Sequence, residues 1–267
     1  MKGMATVIMQ KMLGYMRKAI QEFEMIRDGD RIAVGVSGGK DSMVLLRGLW
    51  MLKRFIGIEY ELVAITLDPG FGGEEGDYSA IESLCAEMGV PYILKRTQIG
   101  EIVFDVRNES SPCSLCARMR RGALHDAALE AGCNKIALGH HYDDAVETFM
   151  MNLFHEGRIG CFAPKSYLSR KDLWMIRPMV FAPEKEVRKA ANKNELPIVK
   201  SKCPVDGNTS RQEMKEFLYQ LDKENDGLKF RIFGAMRRAG IDGWGGQAPA
   251  GNSRTGVEES AADTPAD

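Results

Sequence analysis

Apolar residues recur at helical spacing across residues 5–26 (ATVIMQKMLGYMRKAIQEFEMI), which predicts an amphipathic helix. Asp28-Gly29-Asp30 ends it. Residues 31–36 (RIAVGV) then read as a short buried strand. Ser37-Gly38-Gly39-Lys40-Asp41-Ser42 follows, and residues 43–55 (MVLLRGLWMLKRF) continue as a helix. Strand, glycine turn and helix make the first βα unit of an α/β domain.

The alternation repeats down the chain. Strands are predicted at 61–67, 91–94, 135–138 and 173–176, with a two-residue strand at 198–199. Helices are predicted at 78–88, closed by Gly89, and at 99–106, a short one. Others are predicted at 115–131, closed by Gly132, at 145–154, and at 184–194 after Pro183. The last two are 210–225 and 228–238. Residues 107–113 (RNESSPC) form a polar loop. The stretch from Gly245 to Asp267 lacks aromatic residues and reads as disordered. No internal repeat is visible. The expected fold class is α/β, a Rossmann-like parallel sheet with helices on both faces.

Composition narrows the picture modestly. Of 267 residues, 44% are hydrophobic and 27% charged, enough for a buried core and too apolar for a disordered chain. No apolar run approaches the ~18 residues of a membrane span, and the N-terminus has no signal-peptide pattern. The expectation is a cytoplasmic protein with no membrane partner. Net charge is −1, unevenly spread. Residues 239–267 hold five acids against one base, which leaves the rest at +3. A local basic face for nucleic acid fits that balance. Six cysteines in such a chain are not a disulfide framework and point to metal or redox chemistry for some of them.

The turn at 37–42 carries the first chemistry. Small residues at Ser37, Gly38 and Gly39 let backbone N–H groups turn inward while a helix N-terminus aims at the same spot. Lys40 adds a point charge. Asp41 would repel phosphate unless a Mg²⁺ bridges the two. The loop is neither a Walker loop nor G-x-G-x-x-G, and the plain alternative is a tight βα turn with Ser37 as helix cap.

S-G-G-K-D-S after a first strand resembles the PP-loop of ATP pyrophosphatases. Further stretches narrow the likeness: Leu67-Asp68-Pro69-Gly70-Phe71, CSLCARMRRG at 113–122, ALGHHYDD at 137–144, Ile176-Arg177-Pro178 and Lys202-Cys203-Pro204. Together these resemble the tRNA 2-thiocytidine biosynthesis family (TtcA), over about residues 10–240. The resemblance implies an N-terminal helix over 1–28 and a PP-loop ATP-binding domain over 29–200. A helical segment over 201–244 would pack on it, followed by a tail over 245–267.

Cys113 and Cys116 form a C-x-x-C, and Cys116 begins a helix whose amides favour a thiolate. Cys203 lies 87 residues after Cys116, where only the fold could bring it near. Three thiolates without an evident fourth fit a 4Fe-4S cluster with one iron open; a zinc half-site and a redox dithiol are the alternatives. The resemblance implies the cluster. The chain departs from the family at Asp206, where many members carry a further cysteine, and an oxygen there is a candidate fourth ligand. Cys85 and Cys133 read as core residues.

Ligands in parallel sheets collect at the carboxyl ends of strands. That places Asp68, Gly139 and His140 beside the loop, with Asp144 four residues after His140 on one helix face. By resemblance Asp144 joins Lys40 and Asp41 in the catalytic set, as a Mg²⁺ or phosphate ligand. Ser37, Gly38, Gly39, Lys40, Asp41, Ser42, Asp68, Gly139 and His140 make up the ATP set. His125 and His155 read as structural or exposed. Arg118, Arg120 and Arg121 flank the C-x-x-C, and further basic residues sit on the first and last helices. These are solvated helix faces or phosphate contacts for RNA. Phe71 is a candidate for stacking a flipped base.

The implied activity is ATP-dependent thiolation: adenylation of a cytidine carbonyl at tRNA position 32 and replacement of its oxygen by sulfur. The implied partners are tRNA, a sulfur donor such as a cysteine desulfurase, and a second copy in a homodimer. The alternatives are a PP-loop sulfur transferase acting on another tRNA base or a small metabolite, and a nucleotide-binding iron-sulfur redox sensor.

Overall fold

The structure is a computed structural model and describes residues 2–107, 112–200, 202–205, 207 and 209–245, with side chains from residue 7 onward. Helix α1 (Lys2–Glu22) leads into strand β1 (Asp30–Gly35) and helix α2 (Lys40–Leu52). Strand β2 (Tyr60–Asp68), helix α3 (Ser79–Met88) and strand β3 (Tyr92–Arg96) follow. A single turn, α4 (Ile99–Glu101), runs into a wider turn over Ile102–Val106, where one short helix was expected. Helix α5 (Pro112–Glu130), strand β4 (Lys135–Ala137) and helix α6 (Tyr142–His155) come next. Strands β5 (Lys165–Leu168) and β6 (Leu173–Ile176) precede helices α7 (Glu184–Lys193), α8 (Ser210–Glu224) and α9 (Leu228–Arg238).

The six strands lie in the order β3-β2-β1-β4-β6-β5. All pairings are parallel except that of β5 with β6, so the sheet carries an antiparallel edge where an all-parallel one was expected. In register, Val34 of β1 lies between Ala64 of β2 and Ala137 of β4. The chain leaves β1 toward β2 and returns on the other side to β4. The loops after β1 and β4 therefore meet at the switch point, where such sheets hold ligands.

The period-two pattern of β1 explains the two layers. Ile32 and Val34 enter a large core with Met12, Met16 and Ile20 of α1, Leu45 and Leu49 of α2, and Val187 and Ala190 of α7. Ala33 faces the opposite side, in a smaller core with Ala127 and Ala128 of α5. Met214 and Leu218 of α8 and Phe233 and Met236 of α9 join the large core.

Residues 198–199 are not a strand. Val199 N–H donates instead to Gly38 O at 3.0 Å, tying this segment to the loop after β1. Asp206 and residues 246–267, the body of the expected tail, lie outside the described residues. Among the described residues no helix is long and apolar enough to cross a membrane.

Candidate functional site

Gly38 turns the chain after β1 with φ +84°, and a Cβ there would stand 2.8 Å from Val199 Cβ. Only glycine meets both demands cheaply. Ser42 Oγ donates to Gly39 O at 2.9 Å and lies 3.3 Å from Ser37 Oγ, closing the loop on the first turn of α2. Gly139 ends β4 against that turn: a Cβ would lie 3.1 Å from Asp41 C and Ser42 N. The sequence suggested a close approach of this glycine to a nucleotide. The structure shows an approach to the helix that carries Asp41.

Lys40 Nζ sits 3.1 Å from both Asp41 Oδ2 and Glu184 Oε1. Burial works against its charge, yet the two carboxylates outweigh it and hold the pKa above the ordinary lysine value. Glu184 is half-buried, but hydrogen bonding and charge from Lys215 and Lys40 outweigh that burial and pull it down to about 2. Lys40 is thus a fixed cation. Asp41 keeps one oxygen uncommitted: Oδ1 is buried without a hydrogen-bond partner, and His141 Nε2 lies 3.8 Å from it. A buried carboxylate oxygen with no donor is a position a divalent cation satisfies.

A cavity of about 1010 Å³ opens from this loop across the sheet face that α5 covers. Ser37, Asp41, Ser42, Gly139, His140 and Asp144 line it. Arg118, Arg120 and Arg121 of α5 form one wall, so all three predicted basic residues reach the same space. His125 and His155, read from sequence as structural or exposed, also line it. Three residues that sequence reasoning did not place there join them: Arg158, Arg177 and Arg211.

Arg177 is buried and donates from Nη1 to Ala163 O at 2.6 Å and from Nε to His140 Nδ1 at 3.3 Å. A guanidinium only donates, so His140 Nδ1 accepts and the ring proton sits on Nε2. Burial first, then Arg177 and Arg211, hold the His140 pKa well below the ordinary value. His140 is a neutral hydrogen-bond donor at the end of β4. Its neighbour His141 caps α6: Asp144 N–H donates to His141 Nδ1 at 3.4 Å, and His141 N–H donates back to Asp144 Oδ2 at 2.8 Å. Asp144 therefore spends one oxygen on the cap, and Oδ1 faces Arg211 at 3.7 Å.

Asp68 differs from the rest of the ATP set. Its Oδ1 accepts from Gly70 N–H at 3.2 Å and its Oδ2 from Gly76 N–H at 2.8 Å. Leu67 lines the cavity; Asp68, like Gly38, Gly39 and Lys40, is not among the lining residues, and it alone of the set spends both carboxylate oxygens on its own loop. Asp68 shapes the loop after β2.

Cys113 and Cys116 sit in the first turns of α5, one turn ahead of the arginine wall. Cys116 is buried with Ile99, Val103 and Leu115. Burial pushes its thiol pKa up, Arg120 pulls it down, and Cys203 and Cys113 both push it up. The three predicted thiols are therefore electrostatic neighbours. They are not drawn tightly around a point: among the described residues no three Cys, His, Asp or Glu side chains stand close enough to hold an ion. The donor set itself, three thiols near a guanidinium, suits soft iron in an anionic cluster. Lys202, the residue before Cys203, pairs with Glu74 at 2.8 Å, tethering this segment to the loop that Asp68 shapes. Phe71, proposed as a base-stacking residue, instead meets Phe104 edge-on at 5.8 Å in the apolar cluster around Cys116. Cys85 and Cys133 are buried in the cores, and burial pushes the Cys85 thiol up to about 11.

A glycine loop at a sheet switch point, with a fixed cation and an unsatisfied carboxylate oxygen, defines a nucleotide-binding protein of the PP-loop class. The PP-loop domain model matches residues 9–221. The chain belongs to that family and, within it, to the family of the tRNA-cytidine(32) 2-sulfurtransferases. It is 43% identical to the tRNA-cytidine(32) 2-sulfurtransferase of Geobacter sulfurreducens over 82% of this chain and 86% of that one. Identity to the protein of the same name from Syntrophotalea carbinolica is 42%, over 82% and 85%. Among solved structures, the U34-tRNA thiolase NcsA from Methanococcus maripaludis with its [4Fe-4S] cluster superposes with a TM-score of 0.68. It shares 28% identity, over 85% of this chain and 77% of that one.

Proposed function

We propose that this protein is an ATP-dependent tRNA thiolase that converts cytidine 32 to 2-thiocytidine. The observation that carries the reading is the placement of Cys116. Its thiol responds to both Cys113 and Cys203, and the next turn of the same helix walls the cavity opening from the phosphate loop. The curated relatives support the cytidine and its position, and the NcsA likeness supports an iron-sulfur cofactor.

ATP takes the loop Ser37–Ser42, with its phosphates on the backbone N–H groups at the start of α2 and on Lys40. Asp41 Oδ1, buried without a hydrogen-bond partner, would hold a Mg²⁺ that offsets the phosphate charge. The cytidine O2 attacks the α-phosphorus, pyrophosphate leaves, and the carbonyl oxygen becomes part of a good leaving group. Sulfur then takes its place at C2 and AMP departs. The neutral His140, kept as the Nε2–H tautomer by Arg177, donates a hydrogen bond within the cavity. Arg118, Arg120 and Arg121 offer phosphate contacts that position the RNA without reading its sequence. Cys113, Cys116 and Cys203 would hold a 4Fe-4S cluster, which would supply a thiophilic binding place for the incoming sulfur. The incoming sulfur is at the sulfide level, so a cysteine desulfurase would serve as donor together with a thiol or electron-carrier reductant that releases sulfide from its persulfide. The substrate places the enzyme in the cytoplasm. Residues 29–200 form its ATP-binding unit, residues 201–244 deliver Cys203 to it, and a homodimer is the working assembly.

The test is anaerobic reconstitution with ATP, Mg²⁺, a sulfide source and tRNA lacking thiolation, followed by nucleoside mass spectrometry and mapping of the modified base. Thiocytidine at position 32 is expected. Thiolated uridine, or sulfur incorporated only into a small metabolite, overturns the assignment. Pyrophosphate release that needs no acceptor speaks for a sensor.

A further inference from the structure

A second groove, of about 610 Å³, lies between α1, α6 and α9. Its walls present five aromatic rings, three cations and no carboxylate. In a chain of net charge −1 a groove of single sign is a departure from the surface as a whole. Phe230 stands 67% exposed on its rim, with its ring 5.3 Å from that of Tyr142. Lys18 and Arg238 line the groove and make no ion pair among the described residues, and Lys18 Nζ lies over the Phe181 ring at 5.0 Å from its centroid. Arg237 pairs with Glu22, yet its Nε is buried without a hydrogen-bond partner. The Tyr142 hydroxyl is likewise buried without a hydrogen-bond partner, and Tyr142 as a whole is 4% exposed. Three cations and an exposed aromatic ring, in a groove without a carboxylate, favour an anionic occupant with stackable faces.

We infer that this groove is a docking surface for an unpaired stretch of the tRNA, separate from the cavity that takes the reacting base. The inference rests on the tRNA reading above. Aromatic faces beside cations are how proteins hold single-stranded nucleic acid whatever its sequence. A base stacks on the exposed Phe230 ring. Neighbouring phosphates meet Lys18 and Arg238. Tyr142 opens α6 two residues after His140, which lines the nucleotide cavity. The junction of β4 and α6 is thus shared by groove and cavity, and RNA held in one is led toward the other.

The test compares the wild type with Phe230→Ala, Phe230→Tyr and Arg238→Gln, by equilibrium binding of deacylated tRNA across a salt series. Thermal unfolding of each variant checks the fold. Phe230→Ala should weaken binding by ~5–150-fold, the worth of one stacked base, and Phe230→Tyr should restore it. Arg238→Gln should reduce the log–log salt slope by about one. Unchanged affinity and slope in folded variants overturn the groove assignment and give this face to a protein or a second copy, even if thiolation proceeds. A wild type that thiolates no tRNA and binds none overturns the function as well as the groove.

Discussion

Val199 N–H donates to Gly38 O at 3.0 Å, so the phosphate loop and the segment leading to Cys203 are fastened to each other four residues before the thiol. Lys202 adds a second tether through Glu74. The separation between the phosphate loop and the segment before Cys203 is closed by a backbone hydrogen bond, independently of any metal. Nucleotide loop and third thiol are in this way one structural unit. Occupancy of the loop by ATP and the position of Cys203 are expected to be felt by each other.

Gly38→Ala strikes that unit directly. It asks an L-residue to hold φ +84° and to place a Cβ 2.8 Å from Val199 Cβ. Strain of this kind costs about 1–3 kcal/mol. For a domain of this size the melting temperature should fall by roughly 2–4 °C per kcal/mol. ATP affinity, read by calorimetry, should fall at least tenfold. Gly38→Ala combined with Val199→Gly removes the Cβ–Cβ contact but not the backbone strain at position 38, so it should recover only part of the loss. Full recovery would mean that the backbone angle at Gly38 costs nothing.

Asp41→Ala removes the one loop carboxylate with an unsatisfied oxygen. Acceptor-dependent pyrophosphate release should drop by about 10²-fold or more, the scale seen when charge stabilisation at a reacting phosphate is lost. Iron content should not change, because Asp41 is not among the neighbours that set the Cys116 pKa. Turnover that survives the substitution would remove Asp41 from the cation site. Loss of iron would mean that loop and cluster cannot be separated.

Cys203→Ser separates a metal site from a redox pair. With Cys113 and Cys116 intact, a dithiol would keep its chemistry. A cluster that needs the third sulfur would be lost, from about four irons per chain to nearly none. Anaerobic iron and sulfide analysis and the visible absorption band report the difference, and ATP affinity checks that the loop still folds. White wild-type protein holding one zinc would contradict the cluster for all three residues.

Much of this site could be read along the chain because its parts are contiguous. The loop 37–42 lies between an apolar run and an amphipathic one, and the C-x-x-C is followed at once by its arginines. Local pattern could not reveal what depends on pairing. Strand β5 was missed because Lys165–Leu168 is only four residues long and pairs at an edge, where alternation is weak. Residues 198–199 have strand-like composition, but their partner is a loop carbonyl rather than a ladder. Asp68 sits at the right strand end for a nucleotide ligand, yet two backbone amides consume its oxygens. His141 gave no cap signal because imidazole is not among the usual capping groups, and only the Asp144 backbone reveals the role. Arg211 opens α8, 71 residues after His140, and no spacing rule connects the two.

Glu147 gives a prediction that needs no substrate. It is 3% exposed, its Oε2 lies 3.6 Å from Arg211 Nη1, and its Oε1 has no hydrogen-bond partner. Burial pushes its pKa up to about 7, with Asp144 adding to the rise and Arg211 and Lys215 opposing it. In the unfolded chain the same group titrates near 4.5. Between those two values the folded protein holds a proton that the unfolded chain has released. Stability from this group is therefore complete below pH 4.5 and drains away as pH rises to about 7, by up to about 3 kcal/mol. Glu147→Gln keeps the shape and cannot ionise. The unfolding free energy of the variant relative to wild type should climb across that window and level off above it, measured by urea titration in steps of pH. A difference that stays flat from pH 4.5 to 8 would mean that Glu147 is ionised throughout and that Arg211 stabilises the charge enough to offset its burial.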